Sequence, residues 1–179
     1  MVKAWFLSKD FGKKDEVNFC EEELEIASLD DLTKLGIHYY QVPVGDRKSL
    51  QKLLNTNGYE IRDVVTISRD KLPNYDEMTQ RYYSEHLHPN EEIRYIIDGC
   101  GYFDVRNKDE RWIRMLGEPG DLLVLPAGIY HRFRVTVDDW IQLMRLFRGG
   151  TVWSAHDRNE ATEQMEPRRE YVQKYIAAH

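Results

Sequence analysis

Cysteine is scarce in this chain of 179 residues, in which Cys20 and Cys100 are the only two. Two cysteines are too few for the disulfide framework that stabilises many small secreted domains. The N-terminal apolar run is also too short, and too soon interrupted by charges, for a signal peptide. We therefore expect reduced thiols and a cytoplasmic protein, with the nucleus left open as an additional location.

Long apolar runs, a positive net charge and low-complexity segments are missing as well. No stretch approaches the roughly 20 apolar residues that a membrane-spanning helix needs, so we expect no membrane partner. The net charge of −6 argues against nucleic acid as a partner, because phosphate binding requires clustered Lys and Arg. Since no repeat or Pro/Gly/Ser-rich linker divides the chain, we expect one domain spanning residues 1–179. As a separate expectation, the protein is a monomer.

Strand and helix signals divide that domain into three parts. Residues 1–84 mix strand-like segments with helical patterns, including one helix capped by Ser28 and Asp31 and another capped by Asp46. Residues 85–150 contain short β-rich segments separated by turn residues, a pattern typical of an antiparallel sandwich or small barrel. These segments lie at 92–97, 102–106, 111–116, 121–125, 131–136 and 142–147. Helical spacing returns in the tail, at about 166–177.

Histidines and a carboxylate are arranged in a pattern that predicts a metal site. His86 and His88 are separated by one residue. Because successive side chains on a strand point to opposite faces, these two point to the same face. Glu92 opens the next strand, where strand phase and its spacing from His88 favour it over Glu91. His131 follows a tight turn 39 residues after Glu92. Three imidazoles and one carboxylate suit Fe, Ni, Mn, Co or Zn better than Ca or Mg.

The same residues carry a resemblance to a known superfamily, the cupins. The two matching motifs are His86-x-His88-x3-Glu92-x6-Gly99 and Gly120-x5-Pro126-x-Gly128-x2-His131. Two positions depart from the motifs, with Gln80 in place of a glycine and Val135 in place of an asparagine. More narrowly, the Glu-Ile-Arg-Tyr, Gly-Tyr-Phe-Asp-Val-Arg and Tyr-His-Arg-Phe segments resemble the acireductone dioxygenase family over nearly the whole chain.

This resemblance implies a mainly β protein with peripheral helices, built on the cupin-type double-stranded β-helix or jelly-roll barrel. It implies one Fe(II) or Ni(II) ion per chain, and acireductone and O2 as reactants. In methionine salvage, the family with Fe(II) cleaves 1,2-dihydroxy-5-(methylthio)pent-1-en-3-one to formate and 4-methylthio-2-oxobutanoate. With Ni(II) the products are formate, CO and 3-(methylthio)propanoate. The ligand types alone leave the choice of metal open.

Four further side chains are candidates for contact with the substrate. Arg94 shares a strand face with Glu92, so it either binds an anionic substrate oxygen or orients Glu92. Phe133, Phe103 and Tyr82 either wall the substrate pocket or belong to the ordinary core. Two alternative functions stay open: another metal-dependent cupin dioxygenase or isomerase, and a cupin-fold protein-interaction module.

Overall fold

Two antiparallel β-sheets dominate the computed structural model, which describes residues 2–7, 25–149 and 154–177. The strands are β1 (Lys3–Phe6), β2 (His38–Gln41), β3 (Tyr59–Ile67), β4 (His86–Leu87), β5 (Glu92–Gly99), β6 (Gly101–Arg106), β7 (Trp112–Gly117), β8 (Asp121–Leu125), β9 (His131–Val135), β10 (Ile141–Arg148) and β11 (His156–Asp157). One sheet has the order β1-β7-β6-β9-β4-β11, and the other has the order β2-β8-β5-β10-β3. Cys20 lies outside the described residues.

The main core lies between the two sheets. Phe103 and Met115 from the first sheet and Ile96, Leu123 and Leu143 from the second all belong to one buried cluster. Each of these strands turns alternate residues inward, as the period of two along a strand requires. Two facing antiparallel sheets around one core form the double-stranded β-helix of the cupin type, so the predicted fold class is confirmed.

Helices cover the outside of this barrel. They are α1 (Leu29–Lys34), α2 (Arg47–Asn57), α3 (Tyr75–Tyr83), α4 (Glu160–Glu163) and α5 (Glu166–Tyr171), which runs into a π-helical turn at Val172–Ile176. The predicted caps are present, because the Ser28 hydroxyl and the Asp46 carboxylate accept hydrogen bonds from backbone amides three residues on. None of the described helices is long and apolar enough to cross a membrane.

A second buried cluster lies on the outer face of the sheet that contains β5. There Leu50 and Leu54 of α2 pack with Ile93 and Tyr95 of β5. Glu92, Arg94 and Ile96 occupy the opposite face of the same strand, which is the alternation expected from the sequence. The outer helix therefore buries one face of β5 and leaves the other free to carry polar groups into the barrel.

The edge strands come from outside residues 85–150. β1, β2 and β3 from the N-terminal part and β11 from the C-terminal part lie at the four sheet edges, while the central strands all come from residues 85–150. β3 is absent from the strands predicted above. The run Val64-Val65-Thr66-Ile67 is rich in β-branched residues and could have indicated it.

Candidate metal centre

Three histidine side chains converge inside the barrel. His86 on β4 and His131 on β9 are direct cross-strand partners, and His88 follows β4. The ring centroids are 4.4 Å apart for His86 and His131, 5.0 Å for His86 and His88, and 4.9 Å for His88 and His131. One nitrogen from each ring lies within 4.8 Å of the others, so these three side chains could hold one metal ion.

Backbone carbonyl groups fix the orientation and the tautomer of each imidazole. The Nδ1 atoms of His86, His88 and His131 lie 2.7, 2.7 and 3.0 Å from the carbonyl oxygens of Ser84, Ser154 and Ile129, respectively. A carbonyl can only accept, so each Nδ1 donates and each neutral ring keeps its lone pair on Nε2. This arrangement of donor, ring and acceptor is the one that metal-binding histidines use.

Glu92 completes the group of candidate ligands. Its Oε2 atom lies 3.1 Å from His88 Nε2 and 3.8 Å from His131 Nε2. His131 Nε2 is buried and has no hydrogen-bond partner among the described residues, which fits a lone pair kept for a metal. Glu91 turns away and lies 3.5 Å from the guanidinium of Arg148.

The protonation states also suit a metal site. Burial, followed by the nearby His131, lowers the pKa of His86 to about 3, so this ring is neutral near pH 7. Burial raises the pKa of Glu92, but opposing interactions, led by the positive charge of Arg94, outweigh it and hold this pKa well below its usual value. Neutral imidazoles and an ionised carboxylate are the forms that bind a divalent ion.

Arg94 contacts Glu92 and also faces a cavity. Its guanidinium donates to Glu92 Oε2 at 2.8 Å and to the carbonyl of Ile93 at 3.0 Å. Burial lowers the pKa of Arg94, although a guanidinium remains charged at any physiological pH. The contacts needed for orienting Glu92 are therefore present, and so is the access needed for binding a substrate.

The cavity beside these groups has a volume of about 170 Å³. His86, Glu92, Arg94 and His131 form one part of its wall. The rest of the wall consists of Val65, Ile67, Leu72, Met78, Arg81, Tyr82, Phe103, Phe133, Leu143, Arg145 and Ala155. The mixture of a polar end and a larger apolar surface is typical of a small-molecule site.

The three predicted aromatic residues meet in this wall. The ring centroids of Phe103 and Phe133 are 4.9 Å apart, and those of Tyr82 and Phe133 are 6.4 Å apart in an edge-to-face arrangement. Phe103 and Phe133 also belong to the main buried cluster. Each of these two side chains thus contributes to the core and to the cavity at once, as the barrel interior continues directly into the pocket.

Part of the cavity wall was not identified from the sequence. Val65 and Ile67 come from β3. Met78 comes from α3, and Leu72 comes from the segment before α3. Arg145 of β10 is another residue of this wall. Its guanidinium binds Asp63 of β3 at 2.7 and 2.5 Å, and its side chain also lines the cavity.

Two other residues of interest lie away from the cavity wall. His156, half-buried on β11, has its Nε2 atom 3.0 Å from the Ser154 hydroxyl. Cys100 is a half-buried free thiol between β5 and β6, and burial raises its pKa. The carbonyl of Ser154 also accepts the hydrogen bond from His88 Nδ1. The segment that carries His156 therefore helps to orient a candidate ligand.

A double-stranded β-helix with three imidazoles and one carboxylate at the polar end of a cavity defines the class of cupin-type metal enzymes. The model of the ARD/ARD' family matches residues 3–155. The chain belongs to this family.

Named relatives and one solved structure agree with this assignment. Acireductone dioxygenase from Monodelphis domestica is 42% identical over 176 residues, with 97% of each chain covered. That from Homo sapiens is 41% identical over 180 residues, covering 99% of this chain and 98% of the human protein. The structure of acireductone dioxygenase from Bacillus anthracis with a cadmium ion in its active centre matches with a TM-score of 0.66. At 22% identity, with 86% of this chain and 98% of that chain covered, it supports the fold alone.

Proposed function

We propose that this chain is a metal-dependent acireductone dioxygenase of methionine salvage. Its similarity to acireductone dioxygenases from animals and plants, at about 40% identity over nearly the whole chain, supports this activity. The observation that carries the proposal is the convergence of His86, His88, Glu92 and His131 beside a cavity that is otherwise mostly apolar.

These four side chains are the proposed ligands of one divalent ion. The three Nε2 atoms carry lone pairs, and the carboxylate between two of the rings supplies the negative charge. Four N and O ligands fit Fe(II) and Ni(II), and they leave positions for a chelating substrate. When bound, such an ion supplies a Lewis acid and a template for two substrate oxygens.

The chain's own residues then bind and orient the substrate. Acireductone is an enediol with a methylthio tail, so it has a polar, acidic end and an apolar end. Arg94 is placed to hold an anionic oxygen of the polar end, because it lines the cavity next to Glu92. Phe133, Phe103 and Tyr82 are placed to contact the tail and to keep water from it.

Burial keeps the phenol of Tyr82 neutral, since it raises the pKa of this side chain. A neutral phenol can face an apolar tail while its hydroxyl stays available as a hydrogen-bond donor. Val65, Ile67 and Leu143 extend the apolar wall. The proposed orientation therefore directs the enediol towards the histidines and Arg94, and the tail towards the aromatic and aliphatic side chains of the cavity wall.

The proposed reaction consumes one O2 per substrate and splits the carbon chain. With Fe(II) the products are formate and 4-methylthio-2-oxobutanoate; with Ni(II) they are formate, CO and 3-(methylthio)propanoate. In both cases the atoms of substrate and O2 are fully accounted for by the products. A cytoplasmic location, with the nucleus as an additional one, and a monomeric state stay predictions.

The decisive test measures O2 uptake with enzymatically generated acireductone. Apoprotein is reloaded separately with Fe(II) and Ni(II), and the products are identified. We expect the keto acid from the iron form and CO from the nickel form, with no uptake by a His131→Ala variant. Stoichiometric metal binding without O2 uptake would contradict the proposed activity and favour another cupin reaction or a protein-interaction role.

A further inference from the structure

The turn that precedes His131 is packed between a candidate metal ligand and the C-terminal helices. The amide of Gly128 donates to the carbonyl of His88 at 2.9 Å. On its other side, the carbonyl of Gly128 accepts from Nη1 of Arg168 at 3.3 Å. One residue in the turn thus connects His88 of the metal centre to helix α5.

Glycine is required at this position by the neighbouring helix. Gly128 has a φ of +78°, which L-residues with a side chain rarely adopt, and a Cβ atom there would overlap the carbonyl oxygen of Pro167 in α5. The turn and the helix are therefore in direct backbone contact. A displacement of α5 towards the turn would have to move the turn as well, because Gly128 has no side chain that could absorb the shift.

Tyr130 provides a second connection, immediately before His131. Its ring is fully buried, with the guanidinium of Arg168 4.4 Å from the ring centroid. Its hydroxyl lies 2.9 Å from the hydroxyl of Thr162 in α4. Arg168 itself is buried at 8% exposure, and Glu163 accepts from its Nε atom at 3.1 Å. Charged side chains are almost never buried unless they are paired, and the pair with Glu163 keeps the Arg168 guanidinium between the helices and the turn.

From these contacts we infer that Arg168 is a positioning residue for the metal centre: through Gly128 and Tyr130 it fixes the turn that holds His88 and His131 in place for metal binding. The inference rests on the proposed metal ligands but not on the proposed substrate. The C-terminal helices then serve the site without contributing a ligand to it. A variant without the Arg168 side chain keeps all four proposed ligands. It loses the contacts that hold the turn next to His88 and His131 in position.

The test measures Ni(II) affinity and the rate of Ni(II) release to a chelator for full-length variants. We expect Arg168→Ala to weaken affinity and speed release about tenfold, the lower end of what lost support behind a ligand costs. Arg168→Lys should recover part of the loss, because an ammonium can still donate to the Gly128 carbonyl but cannot stack as a guanidinium does. The exposed neighbour gives the matched control, and Arg169→Ala should bind Ni(II) like the wild type.

A second control separates positioning from general loss of stability. Leu50→Ala removes a side chain from the outer cluster, far along the chain from the site, and should lower the melting temperature without speeding Ni(II) release. Equal release from Arg168→Ala and wild type would overturn the inference, as would equal acceleration by Leu50→Ala at a matched loss of stability. Failure of the wild type to bind Ni(II) would overturn the proposed ligands as well, so the two failures are distinguishable.

Discussion

Replacing Glu92 with glutamine tests the ligand assignment and the buried ion pair together. Glu92 and Arg94 are each 7% exposed, and their side chains are joined by a hydrogen bond of 2.8 Å. Removing one charge from a buried pair leaves the other uncompensated and typically costs about 3–5 kcal/mol. We expect about 3 kcal/mol for Glu92→Gln, the lower end of that range, because the Ile93 carbonyl and the new amide oxygen still accept from the guanidinium.

The adjacent carboxylate provides the matched control for this measurement. The side chain of Glu91 is 30% exposed and 3.5 Å from that of Arg148, which is 54% exposed, so Glu91→Gln should change stability by no more than about 1 kcal/mol. Urea unfolding of the metal-free proteins gives both free energies, and elemental analysis gives bound metal. Only Glu92→Gln should bind metal more weakly. Its loss of affinity should exceed the roughly 100-fold that removing a hydrogen-bond partner of a ligand can cost. Metal loss in Glu91→Gln alone, or equal stability losses in both variants, would refute the reasoning.

Three further outcomes follow from the same geometry. His86→Ala and His131→Ala should each abolish metal retention and turnover, as measured by elemental analysis and O2 uptake; normal activity in either would remove that residue from the site. Arg94→Ala should lower turnover at near-normal metal content if it binds substrate, whereas simultaneous metal loss would assign it to orienting Glu92. Burial raises the pKa of Glu85, but hydrogen bonds from two arginines outweigh it and lower the pKa below the usual 4.5. Glu85→Gln should therefore cost about 1–2 kcal/mol of stability at pH 7, and the difference should shrink as the pH falls below about 4.5; a pH-independent difference in urea unfolding would contradict this.

Strand periodicity explains why the candidate ligands could be predicted from the sequence. His86 and His88 are two residues apart, and Glu92 and Arg94 begin a strand in the same phase, so local geometry alone sends them to one face. The structure adds the cross-strand pairing of His86 with His131, which brings the two motifs together. That pairing depends on a turn with a Pro and a Gly at fixed positions, and these were visible in the sequence.

The remainder of the cavity could not be predicted in this way. Val65, Met78 and Leu143 come from three elements that are distant in sequence, and only tertiary packing makes them neighbours. Their residue types are ordinary for a core, so nothing in the local pattern marks them as pocket residues. The same holds for Arg168, whose helical spacing predicts a helix but not the element against which it packs.

The charges around the cavity give a physical reason why an anionic chelating substrate suits this site. Glu92 is paired with Arg94 and Asp63 with Arg145, while Arg81 also lines the cavity, so with the imidazoles in the neutral form that binds a metal these groups sum to about +1. A divalent ion held by the proposed ligands raises this sum to about +3 in a largely apolar enclosure. An unbalanced charge is costly there, because few water molecules can solvate it. An enediolate offsets that charge with its own oxygens, whereas a neutral ligand of the same shape leaves it in place.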